Sequence, residues 1–424
     1  MGRLKIVYPI CCGADVHRDF LVACIATTDA KLVTTYKKQR FSTYKGGLVR
    51  FRDWLIAHNC HDVCMESTGK YWIPVHNVLE NYEPTADNPC KFNIVVSHPK
   101  YVKSIKGQKT DPRDAEWISD VFKFDLVRGS FIPPPDIRQL RDLCRYYVKL
   151  TSYVTGEKNR AQNCLTVSNF KLDSVFSNVF GKSASAIIDY MLEHPGEKFD
   201  VAPFVNRRCK TPIAQIQEAV DGEFDAMQAE KLKIIKRHMA NLESRKYELE
   251  QLILTLAKPY EAQVNLLLTV PGIAEPLTAI RIIAEIGCDM TVFETTKHLT
   301  SWAGLTPQNN ESAGKKKTTR IGKAGAYIKP LLIQIAIAAS RSKKHPEISG
   351  KYQKLKKRRG GKKAKVAIAR RLLTAMFHML LKNEAYDGTL YQTAEKMPKQ
   401  RVFTQEQAMA YLRKKGFSII DIPA

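Results

Sequence analysis

The sequence predicts an α/β N-terminal domain, a helical middle region built on one long heptad-patterned helix, and a mainly α C-terminal domain with a helix-hairpin-helix-like element. Three observations predict this. Short apolar runs alternate with a helical period up to about residue 129, apolar residues three and four apart fill 232–256, and a tight turn followed by an apolar helix opens near Val270. The expected divisions are 1–130, 131–260 and 261–424.

Taken in order, Ile6 to Ala14, Phe20 to Ala26, Val63 to Met65 and Phe92 to Val96 read as strands, and Tyr44 to His58 reads as a helix. A sheet covered by helices follows. "FIPPP" at Phe131 to Pro135 interrupts regular structure. The seam Leu232, Ile235, Met239, Leu242, Leu249, Ile253 and Leu256, broken once by Lys246, fits either a coiled-coil strand or one amphipathic helix packed on its own domain. Pro259 closes it, having no N–H to donate. Residues 173–210 carry no readable motif. In "VPGIAEPLTAIRIIAEIG" a Gly-containing hairpin precedes an apolar helix, as in elements that hold a phosphate through backbone N–H groups. Ala274 stands where that pattern has glycine, so a packing role is the other reading.

Composition sets the partner. Across 424 residues there are 67 Lys and Arg against 42 Asp and Glu, a formal charge of +25, yet 44% of residues are hydrophobic. A disordered basic tail is excluded, and a folded protein facing a polyanion is expected. Between Ser312 and Arg371 lie twenty Lys or Arg and the single acid Glu347, flanked by apolar helical segments, which marks a folded basic face for nucleic acid. No run approaches the ~18 apolar residues of a membrane span, and Met1 to Tyr8 is too short for a secretory signal, so the expected location is cytoplasmic with no membrane partner. The ten cysteines form no CxxC pair. Cys60, His61 and Cys64 lack the second pair that zinc needs, and buried hydrophobes are the better reading.

Two constellations carry chemistry. Asp15 in "GADVHRD" and Glu66 in "MESTGKYW" each follow an apolar strand, while Asp111 and Asp114 in "KTDPRDA" share one face of a helix start. Converging carboxylates repel unless a cation sits among them, and oxygen donors suit Mg²⁺. Two such ions about 4 Å apart activate an attacking oxygen and stabilise a leaving one in phosphodiester transfer. Asp111 alone would more often cap its helix. Ser312 lies in a Gly-containing loop before Lys315, Lys316 and Lys317, with Arg320, Lys323 and Lys329 following. These six cations are the expected phosphate contacts, whereas composition alone makes Ser312 a turn residue or a cap more often than a nucleophile.

With "VPGIAEPLTA" and "WAGLTPQNNESAGKKKTTRIGKAGAYIKPLL", those motifs make the chain resemble, over most of its length, the DEDD insertion-sequence transposases of the IS110 type, the bridge-RNA-guided recombinases. The resemblance implies a RuvC-like, RNase H-type domain with Asp15, Glu66, Asp111 and Asp114 as its metal-binding tetrad. It implies a coiled-coil region and a C-terminal transposase domain with Ser312 as nucleophile. It further implies a composite site between subunits of a dimer or tetramer, a covalent phosphoserine, and a structured RNA pairing with donor and target DNA. Extra residues around 165–210 and beyond Asn383 depart from the family's compact members.

Two other functions compete with a recombinase. One is a metal-dependent, structure-selective nuclease that uses the acids and water without the serine. The other is a non-catalytic nucleic-acid organiser, which would bind in a salt-sensitive way and yield no metal-dependent product.

Overall fold

Alternation along strand β1 (Ile10–Val16) decides the architecture of the first unit. Cys12, Ala14 and Val16 face one way and join the core that contains Leu48, Phe51, Leu55, Val75 and Leu79. Cys11 faces the other way, into a second core with Ile118 and Phe122. A strand buried on both faces is a central strand, and this is the middle of a five-stranded sheet. The structure, a computed structural model, describes residues 4–86, 89–99, 110–307, 310–312, 315–318, 320–391 and 409. It divides into two units, Met1–Ile132 and Pro133–Ala424.

In the first unit β2 (Phe20–Thr28) and β3 (Thr34–Ser42) continue β1 as antiparallel neighbours. After α1 (Lys45–Ala57), β4 (Asp62–Glu66) pairs parallel to β1, and after α2 (Trp72–Glu80), β5 (Asn93–Ser97) pairs parallel to β4. The order β3-β2-β1-β4-β5, covered on its faces by helices, agrees with an RNase H-type, RuvC-like α/β domain. The unit closes with α3 (Asp111–Lys123), which lies across β1 and β2.

Two sequence expectations shift here. The first strand begins after Pro9 rather than at Ile6, because proline cannot donate to a ladder. The polar stretch Thr34–Ser42 is a strand that apolar patterning passes over. It is the exposed edge, and its charges mark it as such. Lys38 pairs with Glu116 of α3, and the Tyr36 hydroxyl donates to Asp120 of α3 at 2.7 Å.

The second unit is largely helical. Its frame is the long α4 (Pro135–Val167). Three short helices follow, α5 (Leu172–Val175), α6 (Lys182–Glu193) and α7 (Ile213–Ala219), before the long α8 (Ala226–Leu256) packs along α4. The Asp225 carboxylate caps α8 by accepting from Met227 N at 3.0 Å. Of the seam residues, Leu232, Ile235, Leu249 and Ile253 are buried. Lys246 meets the ring of Tyr147 on α4 at 5.4 Å and pairs with Glu243, so the polar break in the heptad is filled by a cation–π contact. Residues 168–225, which contain the motifless stretch 173–210, build a core with Phe170, Ile187, Ile188 and Ile216, closed by Cys164 and Leu165 of α4 and by Leu232 and Ile235 of α8.

Beyond α8 come α9 (Glu261–Leu268), α10 (Pro276–Ile286) and α11 (Thr296–Trp302), then a hairpin of β6 (Asn310–Ser312) and β7 (Lys315–Thr318). Three helices complete the unit: α12 (Ile328–Arg341), α13 (Pro346–Arg359) and α14 (Gly361–Lys382). Glu285 at the end of α10 is held by Arg145 of α4 through two bonds of 2.7 and 2.8 Å, while Arg141 donates to the carbonyls of Ala284 and Glu285. Of the extension past Asn383, residues 392–408 and 410–424 lie outside the described residues. Among the described residues no helix is long and apolar enough to cross a membrane.

Candidate functional site

Asp15 sits on the α3 side of β1, two residues along from Gly13. A Cβ on Gly13 would lie 2.3 Å from the Ala115 carbonyl oxygen and 2.4 Å from Ser119 N, so only glycine lets α3 rest directly on the strand. One step of two residues along a strand covers about 6.6 Å and one helical turn about 5.4 Å. With Gly13 under Ala115, the next inward residue, Asp15, therefore meets the preceding turn of α3, where Asp111 and Asp114 stand. The N-cap of α3 is Thr110, not Asp111, and the first-turn carboxylates gain from the helix dipole.

Glu66 is the last residue of β4, and Ala14 pairs with Met65 across the parallel ladder, so Glu66 emerges beside Asp15 at one sheet edge. Thr68 Oγ1 donates to Glu66 Oε1 at 2.7 Å. The Asp15 side chain is 14% exposed. Burial pushes its carboxyl above the usual range, with His17 opposing and the charges of Asp111, Asp114 and Glu66 adding to the rise. The other three acids predicted from sequence thus each act on Asp15 electrostatically.

The structure adds a residue that the sequence reading passed over. His17 Nε2 lies 3.2 Å from Asp15 Oδ2 and 3.6 Å from Asp111 Oδ1. Potential ligand atoms of Asp15, His17 and Asp111 all fall within 4.8 Å of one another. The period of two that places Cys11 and Asp15 on one face also places His17 there, and that signal was available in "ADVH". By contrast Cys60 and Cys64 are fully buried in apolar surroundings that push both thiols up, as inert hydrophobes.

These residues fit a divalent cation. Carboxylate oxygens with one imidazole nitrogen form a suitable donor set, and a raised Asp15 carboxyl among like charges is the state that a cation relieves.

In the second unit Ser312 ends β6 and pairs with Lys315 of β7, so it occupies a hairpin tip rather than an irregular loop. The base of this hairpin is tied by a bridge between Pro307 and Ile321. Lys316 and Lys317 continue β7, while Arg320 and Lys323 are exposed beyond it. Lys329 donates to the carbonyls of Gly322 and Ala324 at 2.8 and 2.7 Å, which commits its ammonium to holding that loop.

The wider basic face is a helical hairpin hinged at Gly360 (φ 82°), with Lys356, Lys357, Arg358 and Arg359 exposed on one side and Lys362 and Lys363 on the other. Basic residues ending α13 are favoured by its dipole, whereas lysines opening α14 are opposed by theirs.

Comparison with known proteins agrees with both regions. Residues 12–169 match the DEDD transposase family of the IS110 type, and residues 264–353 match the transposase family IS116/IS110/IS902. The first match spans all four acids and His17, the second Ser312 and its hairpin. Curated relatives include the pilin gene-inverting proteins of Moraxella bovis and Moraxella lacunata, each 30% identical over 134 residues, which is 31% of this chain and 40% of the relative. The chain thus aligns with less than half the length of the curated relatives it matches. The acids gathered where β1, β4 and α3 meet, and the serine hairpin of the second unit, fall inside two separate matches to transposase families of the IS110 type, and it is these families that the chain is similar to.

Proposed function

We propose that this protein cuts and rejoins DNA through a covalent phosphoserine on Ser312, with Mg²⁺ held by Asp15, Glu66, Asp111 and Asp114, and with a structured guide RNA selecting donor and target sites. The observation that carries the reading is the approach of Asp15 and Asp111, brought face to face by Gly13 beneath α3. Relatives named for inverting a pilin gene support a recombining role.

When bound, the ion supplies charge neutralisation at the scissile phosphate and eases loss of a proton from the attacking oxygen. The chain's residues do the rest. Asp15, held by β1, and Asp111, at the start of a helix, keep their oxygens in fixed register. The hairpin tip presents Ser312 beside Lys315, and Arg320 and Lys323 add positive charge for the phosphodiester. The serine oxygen–phosphorus bond forms as the phosphorus–O3′ bond breaks, the serine hydroxyl loses its proton, and the departing O3′ takes one up. In the working assembly, a dimer or tetramer in the cytoplasm or nucleoid, the tetrad of one copy serves Ser312 of another. The functional parts are 1–130, 131–260 and 261–424, and cations on backbone phosphates leave sequence choice to base pairing.

The second reading is a nuclease that uses the acids alone, favoured by their lying together in the first unit while Ser312 belongs to the second. A denaturing gel of protein, guide RNA and DNA in Mg²⁺ separates the two. Serine chemistry yields a protein–DNA adduct with wild type and none with Ser312→Ala, while Asp15→Asn removes both adduct and cleavage. Cleavage undiminished in Ser312→Ala would establish the nuclease.

A further inference from the structure

We infer that His17 is a nitrogen ligand of the ion held by Asp15 and Asp111, and that it tilts this centre towards Mn²⁺ over Mg²⁺. The inference rests on the metal reading proposed above and extends it to a fifth side chain.

Geometry comes first. Oxygen ligands on a small octahedral cation sit about 2.1 Å from it, which sets neighbouring ligands about 3 Å apart. His17 Nε2 stands 3.2 Å from Asp15 Oδ2 and 3.6 Å from Asp111 Oδ1, close to the spacing of two adjacent ligand pairs. The nitrogen is shielded from solvent and has no hydrogen-bond partner among the described residues, even beside those oxygens. A nitrogen aimed at two carboxylates without bonding to either in good geometry is placed to share their ion.

The ring is also held. His17 lies against Phe20 with centroids 4.6 Å apart and the rings tilted by 36°, and the Arg40 guanidinium lies 3.7 Å from the Phe20 ring centre. Phe20 begins β2 and Arg40 lies on β3, paired with Val22, so the imidazole is braced by two neighbouring strands rather than left on a mobile turn. Bracing lowers the ordering cost of ligation.

Chemistry then sets the preference. Mg²⁺ is a hard ion that favours oxygen and keeps its waters, whereas imidazole suits first-row transition ions. One nitrogen among carboxylates keeps the site open to Mg²⁺ but strengthens Mn²⁺ selectively. Four carboxylates alone supply no such bias.

The experiment uses the full chain with Mn²⁺ as probe. Free Mn²⁺ is followed by electron paramagnetic resonance to obtain affinity, and pulsed measurements on bound Mn²⁺ read coupling to a directly bonded ¹⁴N. Wild type is expected to show the nitrogen coupling. His17→Gln is expected to lose it and to bind Mn²⁺ at least about tenfold more weakly, with a smaller change for Mg²⁺ measured by competition. His17→Asn, with circular dichroism to verify folding, serves as the second variant and is expected to behave alike. Bound Mn²⁺ without nitrogen coupling in wild type, or an unchanged Mn²⁺/Mg²⁺ ratio in both variants, would overturn the inference while leaving the acidic centre standing. Asp15→Asn separates the two levels: if it binds Mn²⁺ as wild type does, the acidic centre and the role of His17 fall together.

Discussion

Gly13 and Ala115 are in backbone contact: a Cβ on the glycine would sit 2.3 Å from the alanine's carbonyl oxygen, closer than real Cβ atoms approach. This contact sets the height of α3 above the sheet, and with it the approach of Asp111 to Asp15. Gly13→Ala is expected to lift α3, costing about 1–3 kcal/mol as an overpacked core does, and to weaken Mn²⁺ binding. Since the collision is with backbone, Ala115→Gly should not rescue it. Thermal denaturation and Mn²⁺ titration of the single and double variants check both points.

The acidic centre should cost stability when no metal is supplied. The Asp15 carboxyl is pushed above its ordinary 3.8 by burial first and then by neighbouring acids. A carboxyl raised on folding stabilises the fold fully below its unfolded value, and that contribution is lost as pH rises through the folded value. At pH 7 in EDTA, Asp15→Asn is therefore expected to raise the thermal midpoint, and the gain should shrink as pH falls towards 4. With Mg²⁺ the order should reverse, because the wild-type site gains an ion. A midpoint that Asp15→Asn lowers at pH 7 in EDTA would contradict this account.

Two glycines clasp the base of the serine hairpin. A Cβ on Gly304 would meet the Ala324 carbonyl oxygen at 2.3 Å, and one on Gly325 would meet that of Ala303 at 2.2 Å, both residues having positive φ. Gly325→Ala combines backbone strain with collision, and we expect a loss of about 2 kcal/mol or more. It should also abolish the DNA adduct without removing Mn²⁺ binding, which calorimetry, gel analysis and titration would measure on one preparation.

Charge on the α13–α14 hairpin should be legible in salt dependence. Replacing Lys362 and Lys363 by Gln is expected to lower nucleic-acid affinity for any sequence and to reduce the slope of log K against log salt by about 0.9 for each lost phosphate contact on duplex DNA. A loss confined to one sequence, with the slope unchanged, would assign these lysines to base readout.

How much of this could be seen beforehand depended on the kind of signal. Asp15, Glu66, Asp111 and Asp114 were readable because strand ends and a Pro-marked helix start are local patterns. His17 was readable in principle from its spacing to Asp15, but a lone histidine after a strand has many ordinary roles, and only its distance to Asp111, 94 positions further on, separates them. The edge strand Thr34–Ser42 escaped because its residues are mostly exposed, and edge strands are written in charge rather than hydrophobicity. Lys246 looked like a flaw in the heptad until Tyr147 was found opposite it.

By itself the sequence determined the charge and the α/β-then-helical order, and it singled out the four acids and the serine as candidates and the transposase families to which they point. Tertiary structure decided which of these share a space. It showed that the seam of α8 packs against α4 of its own chain, that residues 168–225 close a core, and that Gly13 lets a helix reach the strand carrying Asp15. The physical reason is range. Propensity and periodicity act over a few residues, whereas an electrostatic cluster or a backbone contact depends on distances that only the folded chain brings down to a few ångströms.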